Sequence, residues 1–362
     1  MTQISAASHQ WATRPADERF TSLEAMHAQT LAYAKASAEK DVPWTDLRVE
    51  AQGDDLSLVG KAGIGAKIAH YAFGQLAARI GAPAAYLRDL PATLAAQNLN
   101  FGLKEKVSGW ASLLFQRGEQ LTLRAATSDK YARVWNHEVI ARLIDLSQRQ
   151  NLVPGRTTMG GADNPDGNDL NGVPSRSLYA SDHDMFAFLM SDKQVVDPVG
   201  QPLYRGIIVN NSEVGDRSLG VLGFWFREVC WNHIIWGAER LLEVRLNHIG
   251  EIRNRWLDAT VSIRRYLDSS TSMEETRFKQ LTARIASTKE DVLDTLFGKR
   301  SLGLSKKALE ASYDAVVPEE DGDPRTVWGI AQGVTRYSQE TTYADERFAL
   351  DKAAGKLLDL TF

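Results

Sequence analysis

The chain has 362 residues, 43% hydrophobic and 24% charged, enough to bury a full core and to fill two domains or one large one. A net charge of −4 argues against a surface built to coat duplex DNA, and a single cysteine excludes a disulfide framework or a multi-thiolate zinc site. No apolar run approaches the roughly 18 residues of a membrane span, and the first twenty residues lack the basic and apolar regions of a signal peptide, so a reducing cytoplasm is the expected location and no membrane partner is expected.

Taken in order, Thr21 and Glu24 stand three apart as in a capping box, with Leu23, Met26, Leu31 and Ala34 following at near-helical spacing. A second helix is predicted over 64–80, with Gly81 at its C′ position and Pro83 opening the next segment. The stretch QLAARIGAPAAYLRDL (75–90) then reads as helix, tight turn, helix. A DNA-reading helix should present Arg, Asn, Gln or Ser to base edges, but the second helix here offers Ala84, Ala85, Tyr86 and Arg88. A plain helical hairpin is the better reading.

From Leu113 the period becomes two. Leu121, Leu123 and Ala125 alternate with Thr122, Arg124 and Ala126, which predicts a half-buried strand. Asn136 is the predicted cap of a helix that carries Val139, Ile140, Leu143, Ile144 and Leu146 on one face. Residues 154–176, rich in Gly, Asn, Asp and Pro, read as a long loop. A calcium loop framed from Asn164 fails, because Asp169 stands where glycine belongs and Ser175 where glutamate belongs.

Strands are predicted in MFAFLMS (185–191) and YRGIIVNNS (204–212), with SEVGDRS as the turn into a third strand. That strand opens GVLGFWFREVCWNHIIWG (220–237) and runs to Cys230, after which Asn232 is the predicted cap of a helix reaching about Leu246. Ile252, Trp256, Ala259, Ile263 and Tyr266 predict a further helix. The last third reads as helical apart from one acidic loop, VVPEEDGDPRT. In it Thr326 caps VWGIAQGVTRYSQ, where Gly329 and Gly333 permit close helix packing. The class is α+β: a helical region over 1–100, a core with a mostly antiparallel sheet packed by helices over 101–275, and a helical region over 276–362.

Chemistry is sparsely signalled. Cys230 and His233 could pair as nucleophile and base, yet no third residue is identifiable and cysteine is among the most buried residue types. Asp182, His183 and Asp184 could ligate a metal, but neighbours on an extended chain point to opposite faces, so turn polarity is the simpler reading. No phosphate-binding or dinucleotide motif is present, and neither a metal nor a cofactor is expected. Residues 101–156 carry nine basic side chains against five acidic, a net of +4, and residues 163–197 carry two against seven, a net of −5. The basic stretch interleaves aromatic rings with cations, the composition single-strand binders use for bases and backbone. Against this, Trp110 and Phe115 could simply be core.

Several of these segments together resemble a family of phage- and plasmid-encoded bacterial proteins, domain of unknown function 932. They are QLAARIGAPAAYL, the Asn98–Asn100 triplet, TSDKYARVWNHEV, IIVNNSEVGDRSLGV running into FREVCWNHI, and TVWGIAQGVTRYSQ, spread over about 65–340. The most specific part is Arg227, Val229, Cys230 and Asn232; Ile234 departs from the smaller or hydroxylic residue expected after that asparagine. The resemblance implies a mobile-element setting and raises DNA work as an expectation, without supplying a catalytic residue. The leading expectation is therefore single-stranded DNA binding or annealing. Lys104, Lys106, Arg117, Arg124, Lys130 and Arg133 would meet phosphates, and Tyr131 and Trp135 would stack on bases. A homo-oligomer would suit annealing. The rival is a non-enzymatic interaction or assembly protein without nucleic-acid contact; an enzyme built on Asp182, His183 and Asp184 or on Cys230 is the third reading.

Overall fold

The computed structural model describes residues 15–60, 65–155, 178–196, 200, 202–227, 242–269, 272–340, 350 and 353–360. Within them the α+β class takes the form of two six-stranded sheets with helices packed on each. The first helix, α1 (Leu23–Ala36), is capped by Ser22 rather than Thr21. Ser22 Oγ accepts the Ala25 N–H at 3.2 Å, and Leu23 and Met26 point into the core.

The 1–100 region is not simply helical. It contributes β1 (Ser37–Pro43), β2 (Arg48–Gln52), β3 (Asp55–Val59) and β4 (Gly65–Ile68), which join β5 (Trp110–Gln116) and β6 (Thr122–Ser128) in the order β1-β5-β6-β4-β3-β2. Only the β4–β6 pair is parallel. β1, SAEKDVP, is an edge strand whose charges and terminal proline suit an edge and disguise it as loop. The helix predicted over 64–80 divides into β4 and α2 (His70–Arg79), because the Lys67 and Ala69 N–H groups are drawn into bonds with Leu121 O (2.9 Å) and Leu123 O (3.0 Å). Gly81, at φ 73°, ends α2 as expected. With α3 (Ala84–Arg88) and α4 (Ala92–Glu105), α2 covers one face of this sheet through Leu76, Leu99 and Leu103, packed against Val49, Leu58 and Leu123.

The second sheet is antiparallel throughout. Its strands are β7 (Leu152–Pro154), β8 (Leu178–Ala180), β9 (Met185–Val196), β10 (Pro202–Asn211), β11 (Leu219–Arg227) and β12 (Leu242–Leu246), in the order β12-β11-β10-β9-β7, with β8 also on β9. The predicted strands and the SEVGDRS turn are present. The helix expected to reach Leu246 does not extend that far: Leu242 pairs with Gly223 and Leu246 with Leu219. Cys230, Asn232 and His233 lie outside the described residues, as do 156–176 of the predicted long loop.

One face of the second sheet packs on α1, α5 (Asn136–Gln150) and α6 (Ile252–Asp268), burying Met26, Ile140, Ile207, Val221 and Trp256 together. The five periodic residues predicted for α6 are all buried. Arg205 on β10 is buried at the end of α6, where Nη1 donates to Tyr266 O (2.7 Å), Leu267 O (3.0 Å) and Ser269 O (2.7 Å). A cation there satisfies carbonyls a helix terminus leaves unpaired and complements its dipole. Further helices are α7 (Ser272–Leu281), α8 (Lys289–Phe297), α9 (Lys306–Asp314), the short α10 (Pro318–Asp321) inside the predicted acidic loop, and α11 (Val327–Glu340), and all but α10 contribute with the helical residues 353–358 to a core around Trp328. Thr326 Oγ1 accepts the Gly329 N–H at 3.0 Å, the predicted cap. Among the described residues no helix is long and apolar enough to cross a membrane.

Candidate functional site: an arginine cluster between two sheets

The turn between β10 and β11 reaches across to the first sheet, and its polar groups are bonded on arrival. Tyr131 Oη donates to Ser212 O at 2.8 Å, Gln75 Nε2 donates to Val214 O at 2.6 Å, and Gln75 Oε1 accepts the Ala126 N–H at 2.9 Å. Val214 is fully buried with Leu114 and Ala125. That contact explains why the interior of β6 is buried on both faces rather than half-buried.

Glu213 sits at the centre. Its Oε2 meets Arg124 Nη2 at 2.9 Å, with both side chains only 2% exposed, and its Oε1 accepts the Asn136 N–H at 2.8 Å. Arg124 also donates from Nε to Asp182 O (2.9 Å) and from Nη1 to Ser37 Oγ (3.0 Å). Arg133 pairs through Nε with Glu39, donates from Nη1 to Glu213 O, and lies between the Tyr131 and Trp135 rings, 5.3 Å and 5.9 Å from their centroids. Asn211 Nδ2 ties the turn to Val134 O (2.9 Å) and Asn136 Oδ1 (2.8 Å). Asn136 is thus the first residue of α5 rather than its cap, a position held by Trp135. Burial pushes the Tyr131 hydroxyl well above its ordinary range, and lowers the His248 imidazole, which stacks on Tyr131 at 4.9 Å.

Two of the predicted phosphate contacts are therefore corrected. Arg124 and Arg133 are buried cations paired with Glu213 and Glu39, so a DNA phosphate could reach Arg124 only by opening the junction and Arg133 only by displacing Glu39. Tyr131 and Trp135 are half-buried and engaged with Arg133. The other four cations are exposed but separated: Lys104 and Lys106 at the end of α4 and Lys130 after β6 lie toward the end of the sheet where β5 begins, whereas Arg117 lies past the far end of β5. Trp110, the first residue of β5, is 51% exposed, and its carbonyl accepts the Asp129 N–H at 3.4 Å, which brings Lys130 alongside. The residue that sequence reading missed is Glu213. An apolar Val214 inside a polar turn was the one available sign that the turn is buried.

Asp182, His183 and Asp184 adjoin the junction and form a turn. Ser181 Oγ donates to Asp184 Oδ1 (2.7 Å) and accepts the N–H groups of His183 and Asp184 (3.2 Å each), so its hydroxyl is committed to holding the backbone. His183 Nδ1 lies 2.7 Å from Asp182 Oδ1, and that hydrogen bond holds the Asp182 carboxyl below its usual range. Arg217 pairs with Asp184 at 3.4 Å and Asp216 at 3.2 Å. Tyr71 of α2, stacked on His183 at 6.3 Å, is pushed up to about 12 by burial and then by Asp216. Among the described residues no group of three His, Cys, Asp or Glu side chains could hold a metal ion.

The molecule is thus an α+β protein whose two sheets are joined through a buried ionic turn. Residues 181–353 match the family described as Domain of unknown function (DUF932). The match takes in the 181–184 turn, strands β9 to β12 with Glu213, and the helices through α11, while the first sheet precedes it. No curated protein and no solved structure matches the chain.

Proposed function

We propose that this chain is a non-catalytic, cytoplasmic DNA-metabolism protein of bacterial mobile elements that holds single-stranded DNA on the end of its first sheet. The observation that carries the reading is the exposed Trp110 ring with exposed Lys104, Lys106 and Lys130 toward the same end of the first sheet, Lys104 lying 3.6 Å from Glu105. A bare indole supplies a face for stacking, worth about 1–3 kcal/mol per base, and the lysines supply backbone charge. The interface is smaller than the eight residues expected from sequence, and it dispenses with Arg124 and Arg133. Trp110→Ala should weaken binding of a labelled single strand about tenfold while leaving the fold unchanged. Equal affinity for the variant and the parent would discard this site.

A second reading, an interaction or assembly protein, is favoured by a different feature. Leu94 and Phe101 are seven residues apart on α4, which places them on one helical face, and they are 45% and 63% exposed. If that face mediates self-association, Phe101→Glu should convert an oligomer to monomer in sedimentation velocity. A parent protein that is already monomeric at all concentrations would remove self-association.

A further inference from the structure

A polar cleft of about 600 Å³ opens between the edge of the first sheet and the start of α6, bordered by Glu39, Lys40, Arg133, Glu251 and Arg253 among others. Two independent features point into it. The first is Arg133, which is 7% exposed overall and whose Nη2 has no hydrogen-bond partner among the described residues. A guanidinium is planar, so Nη2 shares an edge with Nε, the atom paired with Glu39, and Glu39 itself borders the cleft. The edge shaped for two-point recognition of an oxyanion is filled at one point only, by a side chain still 45% exposed. The Tyr131 and Trp135 rings and the Glu213 carbonyl hold this guanidinium in place. The second feature is the N-terminus of α6, a 17-residue helix whose cap residue, Glu251, makes no side-chain capping bond; the Asn254 amide group holds the Glu251 carboxylate instead, at 3.0 Å. Such a terminus favours negative charge.

We propose that this cleft binds a small oxyanion-bearing molecule, a phosphate ester or a carboxylate, whose anionic end takes the Arg133 edge and displaces Glu39. Glu39 is then an internal stand-in for the ligand. Asp41 and Asp129 on the same cleft call for hydroxyl or amine donors on the rest of the molecule. Lys40 and Arg253 also line the cleft, Arg253 at 3.3 Å from Glu138. The inference rests on atoms other than those of the Trp110 surface and stands or falls separately from it.

The test is calorimetric titration of the full chain with glycerol 3-phosphate and with glycerate, against sodium chloride of matched ionic strength. Both probes carry hydroxyl donors, and they separate the phosphate from the carboxylate source. Glu39→Gln removes the competing charge and should tighten binding of the favoured probe about tenfold, whereas Arg133→Lys, which keeps the charge but loses the planar edge, should abolish it. If Arg133→Lys does not fold, the Glu39→Gln comparison decides alone. Absence of heat for both probes in parent and Glu39→Gln protein, or equal affinity in the two, would overturn the proposal.

Discussion

Replacing Glu213 by Gln keeps its shape and removes its charge, leaving Arg124 buried beside a neutral amide. Arg124 and Glu213 are both 2% exposed and meet at 2.9 Å, so water cannot substitute for the missing carboxylate. Removing one partner of such a pair costs about 3–5 kcal/mol, because the remaining charge stays desolvated. The Asn136 N–H, 2.8 Å from Glu213 Oε1, retains an acceptor in the amide, so the loss is attributable to charge rather than to that bond. Against a total stability of roughly 5–15 kcal/mol, this is a large fraction. Urea unfolding followed by circular dichroism should show the midpoint falling sharply at unchanged slope. Pairing the change with Arg124→Met, which removes the orphaned charge, should recover more than 2 kcal/mol of the loss in a double-mutant cycle, a coupling of the size seen for contacting groups, roughly 0.5–3 kcal/mol. A loss below about 1 kcal/mol for Glu213→Gln, the range of an exposed pair, would refute the view that the turn is a buried ionic joint.

Two further changes test other parts of the fold. Gly333 lies where an added Cβ would stand 2.0 Å from Ser312 O of α9, so Gly333→Ala should cost about 1–3 kcal/mol by forcing α9 and α11 apart, measurable in the same urea experiment; an unchanged midpoint would count against this packing. The buried His248 imidazole is held below its ordinary 6.5, chiefly by burial. The unfolded chain therefore binds that proton more readily, and stability falls as pH drops through 6.5 toward the folded value. His248→Gln should flatten this limb of a stability–pH curve, and an identical curve for the variant would show that His248 does not carry it.

The parts of this architecture that the sequence disclosed are those whose burial follows a local period. α6 was legible because Ile252, Trp256, Ala259, Ile263 and Tyr266 recur at helical spacing and face one core. The β10–β11 hairpin announced itself by two apolar runs flanking a polar turn, and α11 by Thr326 with Gly329 and Gly333. β1 was hidden because an edge strand carries the charges of a loop, and β4 because four residues are too few to establish a period against the helix beside them. The site was least legible. Arg124 and Arg133 sit at positions where a cation ordinarily faces water, and nothing local indicates that a turn 80 to 90 residues away buries them under Glu213. Covering of a polar face by a distant segment is a tertiary event, and it converted two expected DNA contacts into structural ones.

The central functional claim is tested most directly by fluorescence anisotropy of the purified chain with labelled single-stranded and duplex DNA across a salt series. The account predicts preference for the single strand, with log affinity falling against log salt at a slope near −2, as expected for about three neutralised phosphates at Lys104, Lys106 and Lys130. Absence of binding at low salt, or equal binding of duplex, would contradict it and direct attention to protein partners of the α4 face.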